Sequence, residues 1–437
     1  MGRIEVQKPQ PSTRKGIFLN LGLFQFLSFV RRGVFYTFMI NYIFGLMKTV
    51  TFTALLGTLN MFASALGQNL LWGKICDRYK LSAKLVIAGE AIAAATYLVV
   101  FLIHRSLIDA QANFNAGLSL IFGLSFLEFF WSMSDVGWAA LLTSATTTKT
   151  RGSIVGTLNF VASLGRMIGI IFAGYLYNNG EGFREGTIFY IVIAMLLTST
   201  TIMWATSRSI RNPNSKTEDA PDKNHAEEQR ASDNHRTYNW FLASLIVIII
   251  GAACISQVFL LFLKLPAQTG GLNASDPEES FILTAWTIGG MVTSLSCGWL
   301  ADKIGRIKVL SIGLGLAIVT PLAYGLAPNV LALAVVYGLN GVSFWTIQTV
   351  GFAFAADLIP ENRRGRLFGR YNTVMALSWG PAGLLVGGPL ADLQTQKGLS
   401  THTAYVNTFY TSAAIVAIGT ILFALKVAKQ KTKPTKS

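Results

Sequence analysis

The chain has 437 residues, of which 52% are hydrophobic and 13% are charged, and its formal net charge is +15. Soluble domains carry about 25% charged residues, so this composition leaves too little polar surface for a water-soluble enzyme. The three cysteines, Cys76, Cys254 and Cys297, are spaced for neither a disulfide framework nor a metal site, and we expect neither a metal nor a cofactor.

Long apolar runs dominate the chain. A bilayer core takes about 20 mainly apolar residues per helix, and twelve runs of that kind occur. The sequence therefore predicts an all-α polytopic membrane protein with twelve transmembrane helices. The predicted spans, numbered one to twelve, are 16–46, 53–75, 83–103, 117–144, 153–177, 187–205, 238–263, 281–301, 308–326, 330–358, 367–390 and 405–425.

The basic residues predict the orientation of these spans. Of the 36 Lys and Arg residues, 28 lie in the two tails and in alternate connections, and five lie in the connections on the opposite side. Because cytoplasmic segments carry the excess of Lys and Arg, we expect both termini in the cytoplasm. The short outer loops favour a prokaryotic inner membrane. The predicted units are a cytoplasmic tail 1–15, a six-helix bundle 16–205, a cytoplasmic linker 206–237, a second six-helix bundle 238–425 and a basic tail 426–437.

Short motifs recur in the same order in the two halves. A Gly-x-x-x-Asp sequence followed by a basic residue comes after span two and again after span eight, and an Arg-Gly pair comes after spans four and ten. Such a recurrence predicts a duplicated six-helix unit with parallel repeats. The motif residues are Gly73, Asp77 and Arg78 after span two, Gly298, Asp302, Lys303, Gly305 and Arg306 after span eight, and Arg364 and Gly365 after span ten.

With these motifs the chain resembles the major facilitator superfamily. The segment 298–308 fits the superfamily's signature loop fully, whereas 73–84 has Lys80 where glycine is usual. The resemblance implies two pseudo-symmetric six-helix bundles around a central cavity, with spans one, four, seven and ten lining it. It also implies transport of a small solute by alternating access.

We interpret the motif residues as gating loops. Aspartates of one half can face helix N-termini of the other, and the basic residues can pair with acids such as Asp357 or Glu361. The alternative is that these charges only fix the topology and anchor the loops to lipid headgroups.

Charged residues inside the predicted spans are functional candidates because they are costly to place in a bilayer. Span four carries a polar stripe with Glu128, Trp131 and Asp135, and span five carries one with Asn159 and Arg166. Glu128 or Asp135 is our candidate for a proton-coupling residue, and Trp131 and Asn159 are candidates for substrate binding.

Arginines inside the spans offer a different function. Arg31, Arg32 and Arg166 are candidates for binding an anionic substrate group. Arg31 and Arg32 are adjacent and point about 100° apart, so at most one of them faces a cavity squarely. The structural alternative is a set of ion pairs, Arg31 or Arg32 with Glu128 and Arg166 with Asp135.

The second half offers an aromatic and amide surface instead of charge. The substrate-binding candidates there are Gln257 in span seven and Tyr337, Asn340 and Phe344, which share one face of span ten. Such a surface opposite a charged half suits an amphipathic organic substrate, and it equally suits plain helix packing.

Three functional hypotheses remain. The first is a monomeric, proton-coupled transporter of a small organic solute, with export favoured over import. Span five has Ile170 where drug exporters of the superfamily usually have a proline, so export is only favoured. The second is an organic-anion uniporter or exchanger that uses the intramembrane arginines. The third is a non-transporting helper or receptor. None of them is an enzyme or binds nucleic acid, and the expected partners are a small-molecule substrate, protons and the lipid bilayer.

Overall fold

The computed structural model describes residues 11–79, 81–145, 148–209, 227–359 and 364–429, which contain helices and no strand. Spans one to six contain, in chain order, Pro11–Tyr36 with Met39–Met47, Val50–Leu66 with Gly67–Trp72 and Gly73–Tyr79, Ser82–Asp109, Asn113–Ala145, Thr148–Leu176, and Thr187–Ser209. Spans seven to twelve contain Glu227–Ala253 with Ser256–Leu263, Asp276–Ile304, Arg306–Tyr324, Val330–Leu358, Arg364–Trp379 with Gly383–Gly387 and Gly388–Gln396, and Thr401–Phe423 with Ala424–Ala428. The short helices Asn178–Gly180, Glu181–Arg184 and Ala267–Thr269 lie in the connections.

The predicted all-α, twelve-span architecture is confirmed. Among the described residues, 11 helices are long and apolar enough to cross a membrane, and the bent pair in span eight brings the number to 12 if it is counted as one span. Span eight begins at Asp276 rather than at the predicted 281, because Ser275 and Glu278 form a capping box and Pro277 occupies the first turn.

Glycines set the closest helix crossing of the first half. Spans one and five cross where Gly33 lies against Gly169, and a Cβ atom built at Gly33 would lie 2.9 Å from the Gly169 Cα atom. Gly165 lies one turn away, and a Cβ atom there would be 2.5 Å from the Phe26 carbonyl oxygen. This close approach brings residues 31–33 of span one and Arg166 of span five to the same level of the bundle.

The two halves contact each other mainly at one end of the bundle. Asn41 of span one donates to Glu279 of span eight at 2.8 Å, and the backbone N–H groups of Val50 and Thr51 donate to Asp392 of span eleven at 3.0 and 2.9 Å. Where both partners are described residues, every hydrogen bond between the halves lies at or toward this end. We call it the closed end; it contains the connections that follow spans one, seven and eleven.

Candidate functional site

A central cavity of about 250 Å³ lies between the two halves. Spans one and five form its wall on the first half, and spans seven to eleven form its wall on the second. A second recess, of about 620 Å³, shares Phe344 and Trp379 with the cavity and continues past Gln348 and Tyr371. That direction leads away from the closed end, so the cavity is accessible from the opposite end, which we call the open end.

The first-half wall carries two arginines. Arg32 and Arg166 both line the cavity, and Arg166 is an exposed residue there. The Arg166 guanidinium lies 5.5 Å from the ring centre of Trp286, across the cavity in span eight. Among the described residues that line the cavity there is no carboxylate, and none forms an ion pair with Arg166. The cavity wall therefore has net positive charge.

The second-half wall is aromatic, as the sequence indicates. Tyr337 stacks on Phe259 with ring centres 4.2 Å apart, and Phe344 packs between Trp286 and Trp379 at 5.3 and 5.1 Å. All five side chains line the cavity. They form an apolar surface wide enough for a planar ring.

Asn340 forms hydrogen bonds that connect spans eight, nine and ten behind the aromatic wall. Its Oδ1 atom accepts from Trp286 Nε1 at 3.3 Å, and its Nδ2 atom donates to Thr320 at 3.0 Å. These bonds fix the orientation of the amide and hold the Trp286 ring in front of Arg166. Asn340 therefore positions the wall.

Asp135 lies next to Arg32, one of the two cavity arginines. Its Oδ1 atom is 3.6 Å from Arg32 Nη2, and the two side chains are 40% and 34% exposed. Glu128, about two turns earlier on the same stripe, is half-buried and has no ion-pair or hydrogen-bond partner among the described residues. The sequence suggested two structural ion pairs, and neither is present among the described residues. Asp135 pairs with Arg32 instead of Arg166, and Glu128 pairs with neither Arg31 nor Arg32.

Arg31 points away from the cavity into the first half. It is 2% exposed, donates from Nη1 to the Tyr97 hydroxyl at 3.5 Å and lies 4.7 Å from the ring centre of Trp131. Its Nε and Nη2 atoms have no hydrogen-bond partner in the described part of the chain. Of the adjacent pair, Arg32 is thus the residue that faces the cavity.

Trp131 links the arginines to a buried acid. The guanidinium groups of Arg31 and Arg32 both lie over the Trp131 ring, 4.7 and 4.1 Å from its centre. The Trp131 Nε1 atom donates to Glu90 at 2.8 Å. Glu90 is fully buried and also accepts from Ser134 at 2.8 Å. The predicted substrate residue Trp131 therefore contacts Arg31, Arg32 and Glu90, and it does not line the cavity.

Two other predicted substrate residues lie outside the cavity wall. Asn159 is exposed and lines neither cavity nor recess. Gln257 accepts from Ser256 at 3.0 Å and lies near Gly57 of span two, where the two halves meet.

The described residues of the predicted gating loops contact groups of their own half in this state. Arg306 forms an ion pair with Asp357 at 2.5 Å, as the sequence suggested. Arg78 and Lys303 lie over Tyr79 and Trp299, while Asp302 is exposed. Gly73 begins a helix, Gly298 has open space around it, and Gly305 has a left-handed φ of 96° at the junction of spans eight and nine. The side chain of Asp77, that of Arg364 with Gly365 beside it, and Glu361 lie outside what the structure describes.

Sequence reasoning missed the polar residues of the closed end. Lys264 pairs with Asp276 and with Glu279, and the Asp276 carboxylate accepts the Asn179 N–H from the other half at 3.0 Å. Asp392 accepts the N–H groups at the start of span two. The capping box at 275–278 was the signal that span eight starts early enough to place Glu279 inside the protein.

These features together define a class. Two repeated six-helix halves, with a central cavity closed at one end and accessible from the other, are the architecture of a secondary transporter embedded in a membrane. Comparison with known protein families supports this class. The sequence model of the family described as Major Facilitator Superfamily matches residues 21–270 and 245–437. The chain belongs to the Major Facilitator Superfamily and is an integral membrane protein.

Curated relatives match only part of the chain. An uncharacterized MFS-type transporter of Mycobacterium tuberculosis is 31% identical over 27% of this chain and 17% of its own length. The puromycin resistance protein of Streptomyces alboniger is 30% identical over 35% of this chain and 29% of its own. The galactose-proton symporter of Escherichia coli is 24% identical over 31% of this chain and 29% of its own. Each match thus spans less than a third of the relative.

Solved structures share the fold over nearly the whole chain. An auto-inhibited POT family peptide transporter has a TM-score of 0.69 at 12% identity, and covers 98% of this chain and 99% of its own. A bacterial homologue of the lysosomal transporter Spinster has a TM-score of 0.66 at 13% identity, with 98% and 100% covered. At such identities the likeness shows the fold alone.

Proposed function

We propose that this protein carries an amphipathic organic anion across the membrane by alternating access. The observation that carries the proposal is the cavity wall: Arg32 and Arg166 on one side, an aromatic surface on the other, and no carboxylate among the described lining residues. Arg166 has no acidic partner among the described residues, and such a guanidinium binds a carboxylate, sulfonate or phosphate in fork geometry. The aromatic surface of Phe259, Tyr337 and Phe344 then receives the apolar part of the same molecule.

Binding to the purified protein tests the anion requirement. A panel of radiolabelled aromatic carboxylates, sulfonates and phosphates is compared with the neutral amide or alcohol of each. We expect the charged member of at least one pair to bind, and Arg166→Gln to weaken that binding about tenfold to a hundredfold. Arg105→Gln, an arginine in an exposed i,i+4 pair, is the matched control. Equal binding of charged and neutral members, or unchanged affinity in Arg166→Gln, would contradict the proposal.

Proton coupling is the second part of the proposal. It is supported by Asp135 and Glu128, two carboxylates near Arg32. Glu128 has no ion-pair or hydrogen-bond partner among the described residues. A proton on Asp135 would release Arg32 toward the substrate. We expect transport into proteoliposomes to respond to an imposed pH gradient, and the response to be lost in Glu128→Gln or Asp135→Asn. A gradient response that survives in both variants would exclude these residues as proton carriers.

The orientation belongs to the same proposal. The excess of Lys and Arg in the tails and alternate connections supports cytoplasmic termini. With that orientation the open end would face the cytoplasm across an inner membrane. Export as the direction of transport, and a monomeric state, stay predictions.

A further inference from the structure

A buried cluster at the closed end contains two acids and one base. Glu279 is fully buried and Asp276 is 8% exposed, and both lie within ion-pair distance of Lys264. Lys264 forms a hydrogen bond with Asp276 but is 3.4 Å from Glu279 Oε2. No other base among the described residues forms an ion pair with either acid. With both acids ionised, the cluster would keep one uncompensated negative charge inside the protein.

Of the two acids, Glu279 is the one whose negative charge its neighbours do not compensate. Asp276 has Lys264 and also the Asn179 N–H at 3.0 Å. On the other helices around Glu279, the titratable groups are the phenols of Tyr177 and Tyr337, which bring no positive charge. An ionised carboxyl buried without full compensation is unfavourable, and a proton on Glu279 makes the cluster neutral.

The hydrogen bonds of Asn41 are a second, independent indication that Glu279 carries a proton. Its Nδ2 atom donates to Glu279 Oε1 and Oε2 at 2.8 and 2.9 Å. Its Oδ1 atom is buried, in a residue that is 8% exposed, and has no hydrogen-bond donor among the residues that the structure describes. An ionised carboxylate can only accept, whereas a carboxylic acid also donates. A proton on Glu279, with a rotation of the amide, supplies the donor that Asn41 lacks.

We propose that Glu279 is a proton-binding site, protonated while the closed end is shut and ionised once that end opens. The proton forms an O–H bond with a Glu279 carboxyl oxygen, and it leaves to water when opening exposes the group. Protons arriving at the closed end thereby favour its closure, and Glu279 acts in addition to Glu128 and Asp135. The inference rests on the alternating-access part of the proposed function.

The test follows the closed end without any substrate. Cys76, Cys254 and Cys297 are replaced by alanine, and spin labels are attached to cysteines at Ala110 and Gln268, two exposed, uncharged positions on different halves. Pulsed electron paramagnetic resonance in detergent then gives the distance distribution at several pH values. We expect the ratio of open to shut molecules to rise about tenfold per pH unit where Glu279 titrates. In Glu279→Gln the distribution should stay shut at every pH.

Two controls identify the group. Glu278→Gln removes an exposed carboxylate one residue away and should keep the parent's pH response. Lys264→Met leaves two acids without a base and should move the transition to higher pH, so it serves as a second variant if Glu279→Gln does not fold. A parent distribution that ignores pH, or a Glu279→Gln protein that keeps the parent's response, would overturn the proposal. Because no substrate is used, a failure of the anion hypothesis would leave these outcomes intact.

Discussion

Single side chains decide how the first half tolerates its buried charges. Trp131 donates to the fully buried Glu90 and presents its ring to both Arg31 and Arg32. Glu90 Oε2 has no hydrogen-bond partner among the described residues, so the two bonds to Oε1 are those that hold the carboxyl in place. Trp131 therefore stabilises an acid and two bases at the same time.

Trp131→Phe should destabilise the folded protein. The substitution keeps an aromatic ring but removes the donor to Glu90, and an unsatisfied buried polar group costs about 1–3 kcal/mol. Thermal unfolding in detergent measures the loss, with Trp204→Phe at an exposed position as the control. If both variants melt like the parent, the Trp131 bond has no part in stability.

The pair between Arg32 and Asp135 leads to a prediction of opposite sign. Asp135→Asn removes the negative charge 3.6 Å from a cavity arginine, so Arg32 should attract an anionic substrate more strongly. Both side chains are more than a third exposed, and the pair is therefore weak. We expect affinity for the bound anion of the panel to rise about twofold to fivefold. Weaker binding in Asp135→Asn would show that Asp135 itself contacts the substrate.

The sequence predicts some of these residues and not others, for physical reasons. Tyr337, Asn340 and Phe344 were predicted together because a helix repeats every 3.6 residues, and they do share the cavity wall. The partners of Arg31 and Arg32 could not be predicted, since they depend on how spans one, three and four rotate against each other. Glu279 was missed because hydropathy alone places the start of span eight after it, and its partners Asn41 and Lys264 are distant in sequence.

At the scale of helices, close packing in the first half depends on glycine. Spans one and five cross at Gly33 and Gly169, and a side chain at either position meets the backbone of the other helix. The small-residue spacing of Gly165 and Gly169 predicts such a crossing from sequence. Because this crossing also sets the positions of Arg32 and Arg166, stability and substrate binding depend on the same contact.

Gly169→Val should therefore abolish both properties together. A Cβ atom at Gly169 would lie 3.0 Å from the Gly33 Cα atom, and closer still to the Val30 carbonyl oxygen, so the helices must separate. Gly156→Ala in the same span, where no atom lies within 4 Å, should fold like the parent. Size-exclusion chromatography and thermal unfolding distinguish the two. A monodisperse Gly169→Val protein of parent stability would mean that the crossing can shift at little cost.

At the scale of the whole molecule, hydrogen bonds at the closed end hold the two halves together. Asp392 accepts the first N–H groups of span two from the opposite half, where the helix dipole is positive. The sequence predicts the same kind of contact, an aspartate of one half facing a helix N-terminus of the other, at the loops after spans two and eight. Those loops lie at the open end. In this state Arg306, Arg78 and Lys303 of those loops contact residues of their own half. Alternation between the two sets of contacts is what the repeated architecture allows.

Locking the closed end should separate binding from transport. Gly174 of span five faces Ser280 of span eight across the two halves, and a Cβ atom at Gly174 would lie 3.1 Å from the Ser280 Cβ atom. A disulfide needs about 3.5–4.5 Å between Cβ atoms, so a small separation of the halves accommodates one. Within the described ranges Ser280 Oγ has no hydrogen-bond partner, so Ser280→Cys removes no bond seen there.

In a background without the natural cysteines, we expect oxidised Gly174→Cys/Ser280→Cys protein to bind an anion of the panel from the open end and to transport none. Reduction should restore transport, and each single-cysteine variant should be insensitive to the oxidant. A cross-linked protein that still transports would mean that the closed end need not open, and the alternating-access proposal would fail with it. Loss of binding as well as transport would instead show that the cavity itself depends on movement at the closed end.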